Sequence, residues 1–144
     1  MTPEDLSHIE DAVGVALPPG YKALQLAYPS EIPPIARGYE LLHHPFHVLN
    51  ENRSVRDGTL SGMAWPQSYF VIGQDGAGNY YCIDSALEEP SVLFFDHADR
   101  SFREEAPSLS AWVNQVVQFH NEAQPAVQPD VFAAASRRQK RGLA

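Results

Sequence analysis

Residues 69–96 read YFVIGQDGAGNYYCIDSALEEPSVLFFD, and the fold turns on this stretch. It holds three apolar runs, Tyr69–Ile72, Tyr80–Ile83 and Val92–Phe95, each rich in aromatic and β-branched residues. Such side chains pack well on a pleated surface. The first two runs are joined by Gly73-Gln74-Asp75-Gly76-Ala77-Gly78-Asn79, whose three glycines supply the positive φ angles of a hairpin link. The second and third are joined by Asp84-Ser85-Ala86-Leu87-Glu88-Glu89-Pro90-Ser91, polar and stopped by proline. The pattern predicts a three-stranded antiparallel meander. Its runs are nearly continuous rather than alternating, so both sheet faces are expected to be covered.

Working outward, Thr2-Pro3-Glu4-Asp5 is a helix start: a capping hydroxyl, a proline in the first turn, then acids at the positive end of the dipole. Leu6, Ile9 and Val13 share one face, and Gly14 is placed to end the helix. After Leu17-Pro18-Pro19-Gly20, a second helical face is marked by Tyr21, Leu24, Ala27 and Tyr28 and ended by Pro29. Residues 30–66 carry weaker signals. Tyr39–Leu42 reads as a short edge strand, Val48–Arg56 as a short helix or irregular segment, and Trp65 as a core or rim anchor. Beyond the meander, Asp99–Ala106 reads as a turn-and-strand link. Ser108 caps a last helix with an apolar stripe of Leu109, Trp112, Val113, Val116, Val117 and His120. The expected class is α+β: an antiparallel sheet with a central meander at about 69–96, packed by two N-terminal helices and one C-terminal helix.

At 144 residues the chain is expected to form one domain, residues 1–122, with a flexible basic tail at 123–144. The net charge of −8 is unevenly placed. From Pro125 onward stand four of the ten bases, Arg137, Arg138, Lys140 and Arg141, and one of the eighteen acids, which leaves six bases against seventeen acids before it. So acidic a core repels nucleic-acid backbones and attracts basic partners. The single cysteine, Cys82, cannot form an internal disulfide. The acidic N-terminus does not read as a signal peptide, and no run approaches membrane-helix length, so the expectation is a cytoplasmic protein without membrane contact.

Three chemical motifs are weighed on their residues. His43-His44-Pro45-Phe46-His47 invites a metal reading, but Pro45 disfavours the continuous helix that would align His43 with His47, and no acid or cysteine stands at ligand spacing. Asp75–Asn79 lacks the terminal Glu of a calcium loop and the Lys-Ser/Thr of a phosphate loop, which favours a plain hairpin. Asp96, His97 and Asp99 read as a solvated turn, and no nucleophile turn is present. No cofactor is expected, and no enzymatic activity.

Taken together, Ile9, Val13-Gly14-Val15, Leu17-Pro18, Gly20-Tyr21-Lys22 and Leu24 resemble the opening of the SMI1/KNR4 family of the SUKH superfamily. Phe70–Asp84, Ser91–His97 and Ser108–Val113 continue the resemblance in order, over about residues 6–120. Tyr28-Pro29-Ser30 departs from it, standing where the family often has an Asn-Gly turn. The resemblance implies a binding module. Bacterial members look like immunity proteins that bind and neutralise a cognate polymorphic toxin, often a nuclease; eukaryotic relatives are regulatory proteins connected with cell-wall synthesis. It implies no catalytic residues. The partner expected here is a basic toxin domain, met by exposed acids around the meander loops: Asp75, Glu88, Glu89, Asp99, Glu104 and Glu105. Tyr80 or Tyr39 serves as an aromatic anchor if it faces out. A regulatory or scaffolding module without a toxin is the alternative, and a small-molecule or metal-binding protein using the histidine cluster comes third.

Overall fold

A computed structural model describes residues 1–58 and 62–123, so the basic tail expected at 123–144 lies, beyond residue 123, outside the described residues. The chain runs α1 (Pro3–Val13), α2 (Pro19–Leu26), a 3-10 turn (Pro34–Gly38), α3 (Pro45–Arg56), β1 (Tyr69–Gln74), β2 (Tyr80–Asp84), β3 (Val92–Asp96), β4 (Ser101–Ala106) and α4 (Leu109–Ala123). The strands form one antiparallel sheet in the order β1-β2-β3-β4, an α+β fold with helices before and after the sheet. The meander extends by one strand beyond the three-run pattern. β4 pairs with β3 from Val92↔Ala106 to Asp96↔Ser101, with an irregularity at the Val92 end.

Alternation along the strands splits the core in two. Phe70, Ile72, Tyr81, Ile83, Val92 and Phe94 face one side, against Leu6, Ile9, Tyr21, Trp112 and Val116 of the helices. Val71, Tyr80, Cys82 and Phe95 face the other, against Val55 and Trp65. The covering of that second face is aromatic. The Trp65 ring meets Phe95 at 5.1 Å and Phe102 at 5.3 Å between centroids, edge to face in both cases. Its Nε1 donates to the Tyr69 carbonyl at 2.7 Å. Trp65 is thus a core anchor, and both faces of the sheet are covered. Burial pushes the Cys82 thiol well above its ordinary pKa, which keeps it an inert core residue.

The caps follow the sequence. Thr2 and Asp5 form a reciprocal capping box at 3.1 and 2.9 Å, and Gly14 ends α1 at φ 83°. Ser108 Oγ accepts from the Ala111 amide at 3.0 Å at the start of α4. α2, however, ends at Leu26 rather than at Pro29, and its fully buried residues are Tyr21 and Gln25. In α4 the buried face is Trp112, Val116, Phe119 and His120; Phe119 was not in the expected stripe, while Val113 and Val117 pack at its border.

Residues 39–42 are not a strand. They lend the β1 edge two backbone bonds, Gln74 N–H to the Tyr39 carbonyl at 2.8 Å and Leu42 N–H to the Ile72 carbonyl at 2.9 Å. Their other amides point elsewhere: those of Tyr39 and Leu41 donate to Ala36 in the 3-10 turn. A segment whose donors are divided this way cannot make a continuous ladder. Gly73 explains how it comes so close. A methyl group there would lie 2.2 Å from the Glu40 carbonyl oxygen. Gly73 therefore serves close backbone approach, not the hairpin; only Gly76 (φ 81°) and Gly78 (φ 93°) of the three adopt positive φ.

α3 completes the cover of β1. Asn52, fully buried, accepts the Val71 N–H at 2.8 Å and donates to the Val71 carbonyl at 3.0 Å. Its carboxamide does for Val71 what a neighbouring strand would do. β4, by contrast, is paired with β3 alone among the described residues. α4 is tied to the same central region: Trp112 Nε1 donates to the Glu40 carbonyl at 3.1 Å, and His120 Nε2 lies 3.3 Å from Glu40 Oε1 in a nearly dry setting.

Candidate functional site

The β1–β2 and β3–β4 loops lie side by side at one end of the sheet, and their polar residues bind them into one body. Asp75 Oδ1 accepts the amides of Ala77 at 2.8 Å and Asn79 at 3.2 Å. Its Oδ2 accepts from the Asn79 side-chain amide at 2.8 Å. Asn79 Oδ1 then reaches across to the second loop, accepting the His97 N–H at 3.0 Å and lying 2.6 Å from His97 Nδ1. Because Asn79 Oδ1 is an acceptor, Nδ1 of His97 carries the hydrogen. The His97 ring lies over Gly78, where a methyl group would come within 3.3 Å of it. Asp99 accepts from the Ser101 amide and hydroxyl and so closes the second turn. The Ser101 bonds hold the Asp99 carboxyl below its ordinary pKa range, and together these bonds fix the loops in one shape.

Tyr39 completes this end. It is 38% exposed, and its ring lies against Gly76, close enough that a methyl group there would approach it to 3.3 Å. An exposed aromatic ring backed by a rigid loop has the make-up of a binding anchor: large contact area at small entropic cost. Tyr80 is the opposite case. At 4% exposure it lies in the second core cluster, its hydroxyl bonded to Glu51 and its pKa pushed up to about 12, first by burial. Facing inward, it does not serve as an outward anchor.

The expected acids do not converge. Asp75, Asp99 and Tyr39 share the loop end. Glu88 and Glu89, both exposed, belong to the β2–β3 loop at the far end, beside a hollow of about 400 Å³ that also touches Pro19 and Ser108 at the starts of α2 and α4. Glu104 is exposed and Glu105 half-buried on the outer strand β4. Sequence reading missed two features that organise the site: Asn79 as the bridge between the loops, and the packing of Tyr39 on Gly76. The Asp-x-x-x-Asn spacing within a glycine-rich turn was the available signal for the first; nothing local announces the second.

The histidine run divides. His44 caps α3, its Nδ1 accepting the Phe46 amide at 3.2 Å, so His43 stands outside the helix and His47 inside it. Pro45 is the first residue of that helix, as its lack of an N–H favours. Among the described residues no group of three or more His, Cys, Asp or Glu is arranged to hold a metal ion, and no helix is long and apolar enough to cross a membrane.

A helix-flanked antiparallel meander presenting a bonded two-loop end defines a small α+β domain that offers a surface. One step further, the chain belongs to the SMI1/KNR4 family (SUKH-1), whose model matches residues 1–115. No curated protein and no solved structure matches the chain.

Proposed function

We propose that this chain is an immunity protein that binds a basic toxin domain, a nuclease being one candidate, and neutralises it by protein–protein contact without catalysis. Membership of the SMI1/KNR4 family over residues 1–115 carries the reading, since bacterial members resemble immunity proteins. Charge supports it: six bases against seventeen acids before Pro125 attract a basic partner and speed its encounter. The docking face we assign is the loop end, with Tyr39 as anchor and the Asp75 and Asp99 loops as its rigid surround.

A rescue assay tests this. The toxin domain encoded beside the gene is expressed in a host with and without this protein. Survival together with co-purification is the expected result. Tyr39→Ala should weaken binding by roughly 2 kcal/mol, about thirtyfold, whereas Glu88→Lys with Glu89→Lys at the far end should leave the bound state's lifetime unchanged. If the far-end pair abolishes rescue and Tyr39→Ala does not, the docking face lies at that end. If neighbouring toxins neither bind nor are neutralised, the regulatory or scaffolding reading replaces this one, and a pull-down from the native host identifies the partner.

A further inference from the structure

A second hollow gathers titratable groups that the reading above leaves unused. It lies among the amino ends of α1 and α3 and the 3-10 turn, has a volume of about 570 Å³, and is lined by Met1, Asp5, Arg37, His43, His44 and His47 among others. Hydrogen bonds set the character of each. Gln25 donates its two amide hydrogens to Tyr21 Oη at 3.1 Å and the Leu42 carbonyl at 2.9 Å. Its Oε1 is then an acceptor, 2.9 Å from His43 Nδ1, so that nitrogen carries the hydrogen and Nε2 is the atom that titrates. By the same reasoning His44, whose Nδ1 accepts the Phe46 amide, keeps Nε2–H as a donor. The Arg37 guanidinium lies over the Tyr28 ring at 5.2 Å, with a long 3.4 Å bond from Nη2 to the Ile32 carbonyl and a buried Nε that has no hydrogen-bond partner. The Met1 ammonium donates to the Gln25 carbonyl at 3.2 Å. The one carboxylate, Asp5, is engaged by the Thr2 amide.

The charges acting on His43 are of one sign. Burial is the largest influence lowering its pKa; the Met1 ammonium, Arg37 and His44 follow, each opposing its protonation. In a domain so acidic this hollow is a local reversal of charge. We infer that it is a receptor for an oxyanion, the phosphate or carboxylate group of a small ligand, taken by the Arg37 guanidinium, His44 Nε2–H and a protonated His43. A guanidinium fork suits both groups. A bound anion removes the opposition to charging His43 and raises its pKa, so binding takes up a proton. Affinity therefore increases as pH falls through the raised pKa of the bound form, and levels off below that of the free form. The inference does not depend on a toxin partner and is tested on the full chain alone.

The probe is sulfate, whose charge is constant across the range that matters. Histidine ring resonances are followed by NMR between about pH 5.5 and 7.5, where imidazole titrates, with sodium chloride holding ionic strength fixed. The expected result is saturable shifts at His43 and His44, a higher His43 pKa in sulfate, and a loss of about tenfold in affinity for Arg37→Gln, as for a charged hydrogen bond removed. His43→Gln should remove the gain in affinity towards acid pH. Parallel titrations with phosphate and acetate tell a phosphate receptor from a carboxylate receptor. Shifts that never saturate and match those in chloride overturn the inference, as does saturable binding that neither substitution alters.

Discussion

Asn52 shows how much one buried carboxamide can hold. Its three bonds, to the carbonyl of Val48 and to both polar groups of Val71, leave no part of it idle. Asn52→Ala strands the Val71 N–H and C=O in the interior, and each unsatisfied group costs about 1–3 kcal/mol. A loss of roughly 2–5 kcal/mol in urea unfolding is expected, with the slope of the transition unchanged. Glu51, one residue earlier, acts in the other direction. Burial raises its pKa above the ordinary 4.5 despite the bond from Tyr80 that lowers it. A carboxyl whose pKa is higher folded than unfolded favours the native state most when protonated, below its unfolded pKa, and loses that favour as pH rises through its folded pKa. Glu51→Gln keeps an acceptor for the Tyr80 hydroxyl and removes the charge. It should raise the melting temperature at pH 7, with the gain vanishing near pH 4; an equal gain at both would show that the charge is not the cause.

Among the elements, the segment 39–42 depends on the bareness of Gly73. Gly73→Ala places a methyl group 2.2 Å from the Glu40 carbonyl oxygen, backbone against a side chain that cannot rotate away. Destabilisation of about 3 kcal/mol or more is expected, together with faster amide exchange at Leu42 and Gln74, whose bonds tie this segment to β1. If exchange at those two amides is unchanged, the segment is not held by that approach. The same contrast explains what the sequence disclosed. The meander, the Thr2 and Ser108 caps and the α1 face are written in local periods and local side-chain bonds, so they were legible. Residues 34–56 were not, because their order comes from afar: Asn52 answers Val71, Gln25 answers His43, and Tyr39 rests on Gly76. Gly73 in a glycine-rich link looked like turn chemistry because close approach and positive φ call for the same residue. At the site, residue types were readable but their grouping was not, since which loops share an end follows from the strand order.

Over the whole molecule, charge governs encounter more than residence. Six bases against seventeen acids before Pro125 give a field that draws a basic protein from beyond contact range, and salt screens that field over about 10 Å at 0.1 M. The association rate with a toxin should fall severalfold or more as salt is raised from about 0.05 to 0.5 M, while dissociation changes little. Stopped-flow measurement of both rates decides; an association rate indifferent to salt removes steering from the account.

The outer strand β4 has a consequence for crowding. Two copies extending one continuous sheet edge to edge are related by a twofold axis perpendicular to it, which keeps each residue on its own face. The two registers that overlap most of Ser101–Ala106 then set Arg103 opposite Arg103 or Glu104 opposite Glu104. Like charges directly opposed disfavour the pairing. The outer edge of the described sheet thus carries its own guard against fibre growth, and Glu104→Val, by removing it, should turn a well-behaved solution of this chain into one that scatters light at high concentration.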